Sequence, residues 1–182
     1  MAEPAALLVL ANLGRWLRPS GATVASLEPV LPDAATAAAQ LAGVIDRPVT
    51  AADLPDLRRL QRAASDAAEA ILTGRAPDVS AVNALAAASQ GRAELAVAGG
   101  TVARRVVWTD PTPAAALARR LVDEIGWLAP DRLCRCAHPP CDLLFYDTTR
   151  SRTRRWHADD PCGWRERQRT RRRSRPVRRT GG

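Results

Sequence analysis

The placement of its four cysteines constrains this chain most. They are Cys134, Cys136, Cys141 and Cys162, and the first 133 residues contain none. Both histidines, His138 and His157, fall in the same stretch. Disulfide-stapled domains spread cysteines through the fold, so a late cluster reads as metal ligands, with scattered free thiols as the alternative. Cys136 and Cys141 enclose four residues, His157 and Cys162 enclose four, and fifteen separate the pairs. Two close pairs joined by a longer connection are how small structural zinc sites are built. Three thiolates and one imidazole complete a tetrahedron and leave no open position for a substrate. The expectation is one structural Zn²⁺ on Cys136, Cys141, His157 and Cys162. Cys134 and His138 are also at hand, but Cys134 leaves a six-residue gap to Cys141, and the tighter spacing favours Cys136. The surrounding stretch of roughly 40 residues holds little apolar matter beyond Leu143, Leu144, Phe145 and Trp156, too little to fold without metal.

Charge follows the same division. From Arg150 to the end there are 13 arginines against three acids, a balance of +10 in a chain whose total is +8, so the first 149 residues carry −2. All 27 basic residues are arginine. Such an asymmetry points to a polyanionic partner. Arg152, Arg154 and Arg155 precede His157; Arg165, Arg167, Arg169, Arg171, Arg172 and Arg173 follow Cys162. These nine are the candidate nucleic-acid-binding residues, because guanidinium groups grip phosphate bidentately and read guanine edges. A solvated basic tail is the plain alternative. Trp156 and Trp164 are expected to pack a small core, with base-stacking platforms as the alternative, and Asp147 to pair with a nearby arginine or cap the following turn.

The first 130 residues read as helical. Apolar content is 46% but aromatics only 4%, and much of the apolar count is Ala, the best helix former. Residues 5–17 suggest a buried helix interrupted near Gly14. Arg18–Pro32 suggests loop, and Asp33 caps a helix over 34–45. Leu57, Leu60, Ala64, Ala67, Ala68 and Ile71 share one face of a helix from about Asp53 to Thr73, with Pro55 in its first turn and Gly74 as its stop. A shorter helix follows at 78–89. Alternating apolar residues around Gly99-Gly100 predict a β-hairpin over about 93–108. Thr112-Pro113 starts a helix to about 128, with Leu117, Leu121, Ile125 and Leu128 on one face.

The stretch Cys136-Ala-His-Pro-Pro-Cys141-Asp-Leu-Leu-Phe145-Tyr-Asp147, then Arg154-Arg155-Trp156-His157 and Cys162-Gly163-Trp164-Arg165, resembles the CGNR zinc finger. That pattern pairs C-x4-C with a Phe-x-Asp segment ending in Arg-Arg-Trp-Cys and a closing C-G-N-R. Two positions depart from it: His157 stands for the third cysteine and remains a competent ligand, and Trp164 stands for the asparagine. The residues before it resemble the Ala-rich ABATE domain that usually precedes this finger. The resemblance implies a bacterial transcription regulator linked to stress responses.

The reading is a mainly α chain with one β-hairpin (α+β): an ABATE-like helical domain over 1–130 that folds by itself, a zinc finger with a basic helix over 131–175, and a disordered tail over 176–182. The expected function is zinc-dependent DNA binding, with an RNA-binding or protein-interaction adaptor as the alternative. No nucleophile elbow or Gly-rich phosphate loop is present, so no enzyme is expected. A small-molecule effector at the helical domain and a homodimer are further possibilities. The apolar run Ala5–Ala11 is too short to span a bilayer and no basic leader precedes it, so the expectation is a cytoplasmic protein without membrane association.

Overall fold

A computed structural model describes residues 3–15, 30–138 and 141–173. Trp16 and Leu17, most of the expected loop Arg18–Pro32 and the expected tail 176–182 lie outside these. The helices are α1 (Ala5–Asn12), α2 (Ala34–Gln40), α3 (Leu54–Leu72), α4 (Ser80–Ala86), α5 (Pro113–Trp127) and α6 (Trp164–Arg173). The strands are β1 (Gln90–Ala98), β2 (Thr101–Thr109), β3 (Leu133–Arg135) and β4 (Leu144–Tyr146).

Local signals set the helix ends. Asp33 accepts a hydrogen bond from the Thr36 amide at 2.8 Å and so caps α2. That helix stops at Gln40, short of the expected 45, because the chain turns at Gly43 with φ +85°. Thr112 caps α5 by accepting from the Ala115 amide at 3.1 Å, with Pro113 in the first turn. Pro55 sits in the first turn of α3, and Gly74 follows its end at φ +68°.

α1, α3 and α5 enclose the core. Leu7 and Leu10 of α1, Leu57 and Leu60 of α3, and Leu117 and Leu121 of α5 are fully buried. Each contributes about 1.5–3 kcal/mol by leaving water. The cap of α1 comes from far away: Pro4 offers no side-chain acceptor, and Glu124 of α5 accepts from the Ala6 and Leu7 amides at 3.0 and 2.8 Å. A carboxylate among the unpaired N–H groups of a helix start satisfies donors and complements the dipole together.

The expected hairpin is present and longer, pairing Gln90 with Thr109 through Ala98 with Thr101. Gly99 and Gly100 turn it at φ +56° and +77°, as a tight two-residue connection requires. Its alternation does not mark a core face. Leu95 and Val97 are each 74% exposed and Val102 60%, so the apolar side of the ribbon is uncovered among the described residues.

A second hairpin was not foreseen. β3 and β4 pair antiparallel, Leu133 with Tyr146 through Arg135 with Leu144. Leu133, Leu144 and Tyr146 join the core of α1, α3 and α5. Asn12 of α1 binds β4 as another strand would: its side chain donates to the Leu144 carbonyl at 2.9 Å and accepts from the Leu144 amide at 2.8 Å. The Tyr146 hydroxyl accepts from the Ala129 amide at 3.2 Å.

Candidate metal centre and arginine surface

β3 delivers the first ligand. Cys136 follows it directly, and its amide donates to the Leu143 carbonyl at 2.9 Å, closing the loop that carries Cys141. The Cys141 amide donates to the His138 carbonyl at 2.8 Å, and the Ala137 amide to the Arg155 carbonyl at 2.8 Å. The second bond ties the first ligand pair to the segment carrying His157. Cys162 lies in a turn over Asp159–Gly163 that leads into α6.

The sulfurs of Cys136, Cys141 and Cys162 and a ring nitrogen of His157 all lie within 4.8 Å of one another. The Cys141 sulfur is 3.4 Å from His157 Nδ1. Zinc bonds of about 2.3 Å to sulfur and 2.0 Å to nitrogen place tetrahedral donors roughly 3.5–3.8 Å apart, so these residues fit the ion. Burial, then Arg154, lowers the His157 pKa, a shift toward the neutral form that binds metal. Burial, then the neighbouring Cys136 and Cys141, push the Cys162 thiol up to about 12. A divalent cation reverses that penalty by drawing all three thiolates to itself. Cys134 and His138, the other donors at hand, are not in this cluster. Cys134 pairs with Phe145 across the β-ladder, and His138 Nδ1 lies 3.7 Å from a Glu166 carboxylate oxygen on α6.

Asp147 organises the loop between the ligand pairs. It is 1% exposed. It accepts from the Thr149 amide at 2.8 Å, the Thr149 hydroxyl at 2.6 Å and the Arg154 amide at 2.9 Å. Burial pushes its pKa up, but these hydrogen bonds and the charge of Arg132 outweigh it and hold the carboxyl below its ordinary value. Of the two expected roles, it takes the turn-capping one. Gly163 makes a close approach: a Cβ there would stand 2.6 Å from Asp159 Oδ1, the end of an exposed side chain, and 3.2 Å from the Trp156 ring.

The expected arginines divide by what holds them. Arg154 donates to the carbonyls of Trp156, at 2.8 Å, and His157, and its guanidinium lies 5.1 Å from the Phe145 ring centre. It braces the ligand loop. Arg152 pairs with Asp131. Arg167 pairs with Asp159 at 2.6 Å, and Arg169 lies 3.7 Å from Glu166. Arg155 is exposed and stacks 5.5 Å from the Trp156 ring centre. Arg165 is exposed on the first turn of α6. α6 runs to Arg173, but the side chains of Arg171, Arg172 and Arg173 lie outside the described residues. Trp156 is half-buried, whereas Trp164 is 52% exposed and does not pack a core as expected.

Four charged residues that spacing does not connect join this region to the helices. Arg15, its side chain fully buried, binds Glu69 of α3 at 2.7 Å and Asp142 at 3.2 Å. Arg135 binds the same two carboxylates, Glu69 at 2.7 Å. No helix among the described residues is long and apolar enough to cross a membrane.

No curated protein matches the chain. Residues 132–175 match the model of the CGNR zinc finger family, and the four clustered donors within that span make one zinc site.

Proposed function

We propose that this chain is a zinc-dependent DNA-binding protein, a non-catalytic transcription regulator of the bacterial cytoplasm. Its helical region is read as an ABATE-type domain that carries effector binding or dimerisation. One observation supports the reading above the others: a structural metal site immediately precedes a helix with Arg165, Arg167 and Arg169 on its exposed surface. The metal, when bound, supplies a cross-link and no chemistry of its own. Cys136, Cys141, His157 and Cys162 would hold it, and Asp147 and Arg154 keep the connecting loop in shape. Oriented arginines can discriminate base edges, whereas mobile ones contribute phosphate affinity alone.

Arg155 and Arg165 are the best candidates for base contact, since neither forms an ion pair among the described residues. Arg152, Arg167 and Arg169 already have carboxylate partners, and Arg171–Arg173 are assigned general phosphate affinity. Selection from random duplex oligonucleotides, with the zinc-loaded chain at physiological salt, tests the proposal. The expected result is a recurring duplex sequence whose preference is reduced by Arg165→Gln. A palindromic sequence would extend the reading to a homodimer.

The adaptor reading draws on Trp164, whose exposed ring beside Arg165 suits an unpaired base. Tighter binding to single-stranded RNA than to any duplex, lost in Trp164→Ala, would replace the DNA reading with that one.

A further inference from the structure

Arginines also gather far from the finger. A hollow of about 400 Å³ lies between the loop carrying Val44 and Arg47, the end of β2 at Trp108, and α5 at Arg119 and Arg120. That size is within the usual range for small-molecule pockets, roughly 300–1,000 Å³. Its lining combines Val44, Ile45, Ala116 and Trp108 with three guanidinium groups.

Those three charges are incompletely matched. Asp110 is consumed by Arg119, which grips it through two bonds of 3.0 and 3.1 Å. That grip, against the opposing effect of burial, holds the Asp110 carboxyl below its ordinary value. Arg120 donates to the Val44 carbonyl at 2.6 Å, and Arg47 to the Asp110 carbonyl at 2.5 Å. These acceptors are neutral, and Asp110, which also feels the charge of Arg47, is one carboxylate against the three guanidiniums of the lining. Asp46 is the other acid in the lining, and it is exposed. Arg47 Nε is buried and has no hydrogen-bond partner. A buried N–H without an acceptor is a cost to the folded chain.

Trp108 gives the hollow a flat wall. A Cβ on Gly91 would lie 2.8 Å from its ring, so glycine lets the ring lie across β1. The Arg119 guanidinium is 4.7 Å from the ring centre. We infer that this hollow binds a small organic oxyanion, a carboxylate or phosphate monoester on a flat apolar body, with the acidic head at Arg47 and Arg120. The site shares no residue with the finger and does not depend on what the finger binds.

Calorimetric titration of the zinc-loaded chain with benzoate, phenyl phosphate, inorganic phosphate and neutral benzamide tests it. Benzoate or phenyl phosphate should bind, whichever head group fits, and benzamide and inorganic phosphate should bind at least about tenfold more weakly, the difference made by one charge-assisted contact. Arg47→Gln should abolish the preference, while Arg165→Gln, on the finger, should leave it intact. If Arg47→Gln does not fold by circular dichroism, Arg120→Gln replaces it with the same expectation. The inference is overturned if benzamide binds as well as the anions, if inorganic phosphate binds best, or if Arg165→Gln weakens anion binding as much as the pocket variant does.

Discussion

In the helical region, Leu7, Leu10, Leu57, Leu60, Leu117 and Leu121 are withdrawn from water, and helix faces interlock around them. In the finger, the two strands have three residues each, and the groups brought together are three sulfurs, an imidazole and a buried carboxylate. The first region offsets its chain entropy with apolar area, the second with coordination and charge-assisted hydrogen bonds. Between them stands a hybrid, in which Leu133, Leu144 and Tyr146 extend the apolar core while Arg15, Glu69, Arg135 and Asp142 supply charge. The difference teaches that the regions should fail under different insults.

Chelation makes the largest test, since structural zinc contributes about 10–16 kcal/mol in small fingers. Removing zinc should expose Arg150–Arg155 to trypsin while the helical circular dichroism of α1–α5 persists. Loss of all helical signal in one step would break the comparison. Next is Arg15→Met, which leaves Glu69 and Asp142 with one guanidinium between them. A cost of about 3–5 kcal/mol is expected, as for breaking a buried ion pair, read by denaturant titration of the zinc-loaded chain.

Tyr146→Ala should cost about 3–5 kcal/mol, the usual range for removing a buried aromatic ring. A chain ended at residue 130 takes that test further: the helices should persist with a lower melting temperature, and an unfolded product would reject the domain boundary.

Asp147→Asn should cost about 2–3 kcal/mol, because a neutral amide accepts fewer and weaker bonds. It also carries a pH signature. The folded pKa of Asp147 lies below its ordinary 3.8, so its stabilisation is complete above that value and is lost as pH falls through the folded one. Below pH 3.8 the parent chain should therefore lose stability more steeply than the variant. Smallest of all, Leu95→Ser should change stability by less than about 0.5 kcal/mol, since Leu95 is 74% exposed.

Legibility in the sequence followed the range of the interactions. Caps and breakers act within four residues, and Asp33, Thr112, Pro55 and Gly74 all perform as their positions predict. The donor set was legible because metal geometry demands fixed ligand types at close spacing. What escaped depends on distant partners. Three-residue strands such as β3 and β4 are too short to show a period. The role of Arg15 exists through Glu69 and Asp142, 54 and 127 positions away. The hairpin itself was legible, but the exposure of its apolar side was not: alternation reports two chemically distinct faces, and burial of one requires a neighbour that alternation does not supply.

The cap on α1 bears on the order of events during synthesis. The acceptor for the Ala6 and Leu7 amides sits 118 and 117 residues downstream. As the chain emerges from the ribosome, its first helix therefore lacks this acceptor until α5 has been made. Eight residues are too few to hold helix alone. Packing on α3 can begin earlier, but the two capping bonds of α1 are completed only once Glu124 has been made.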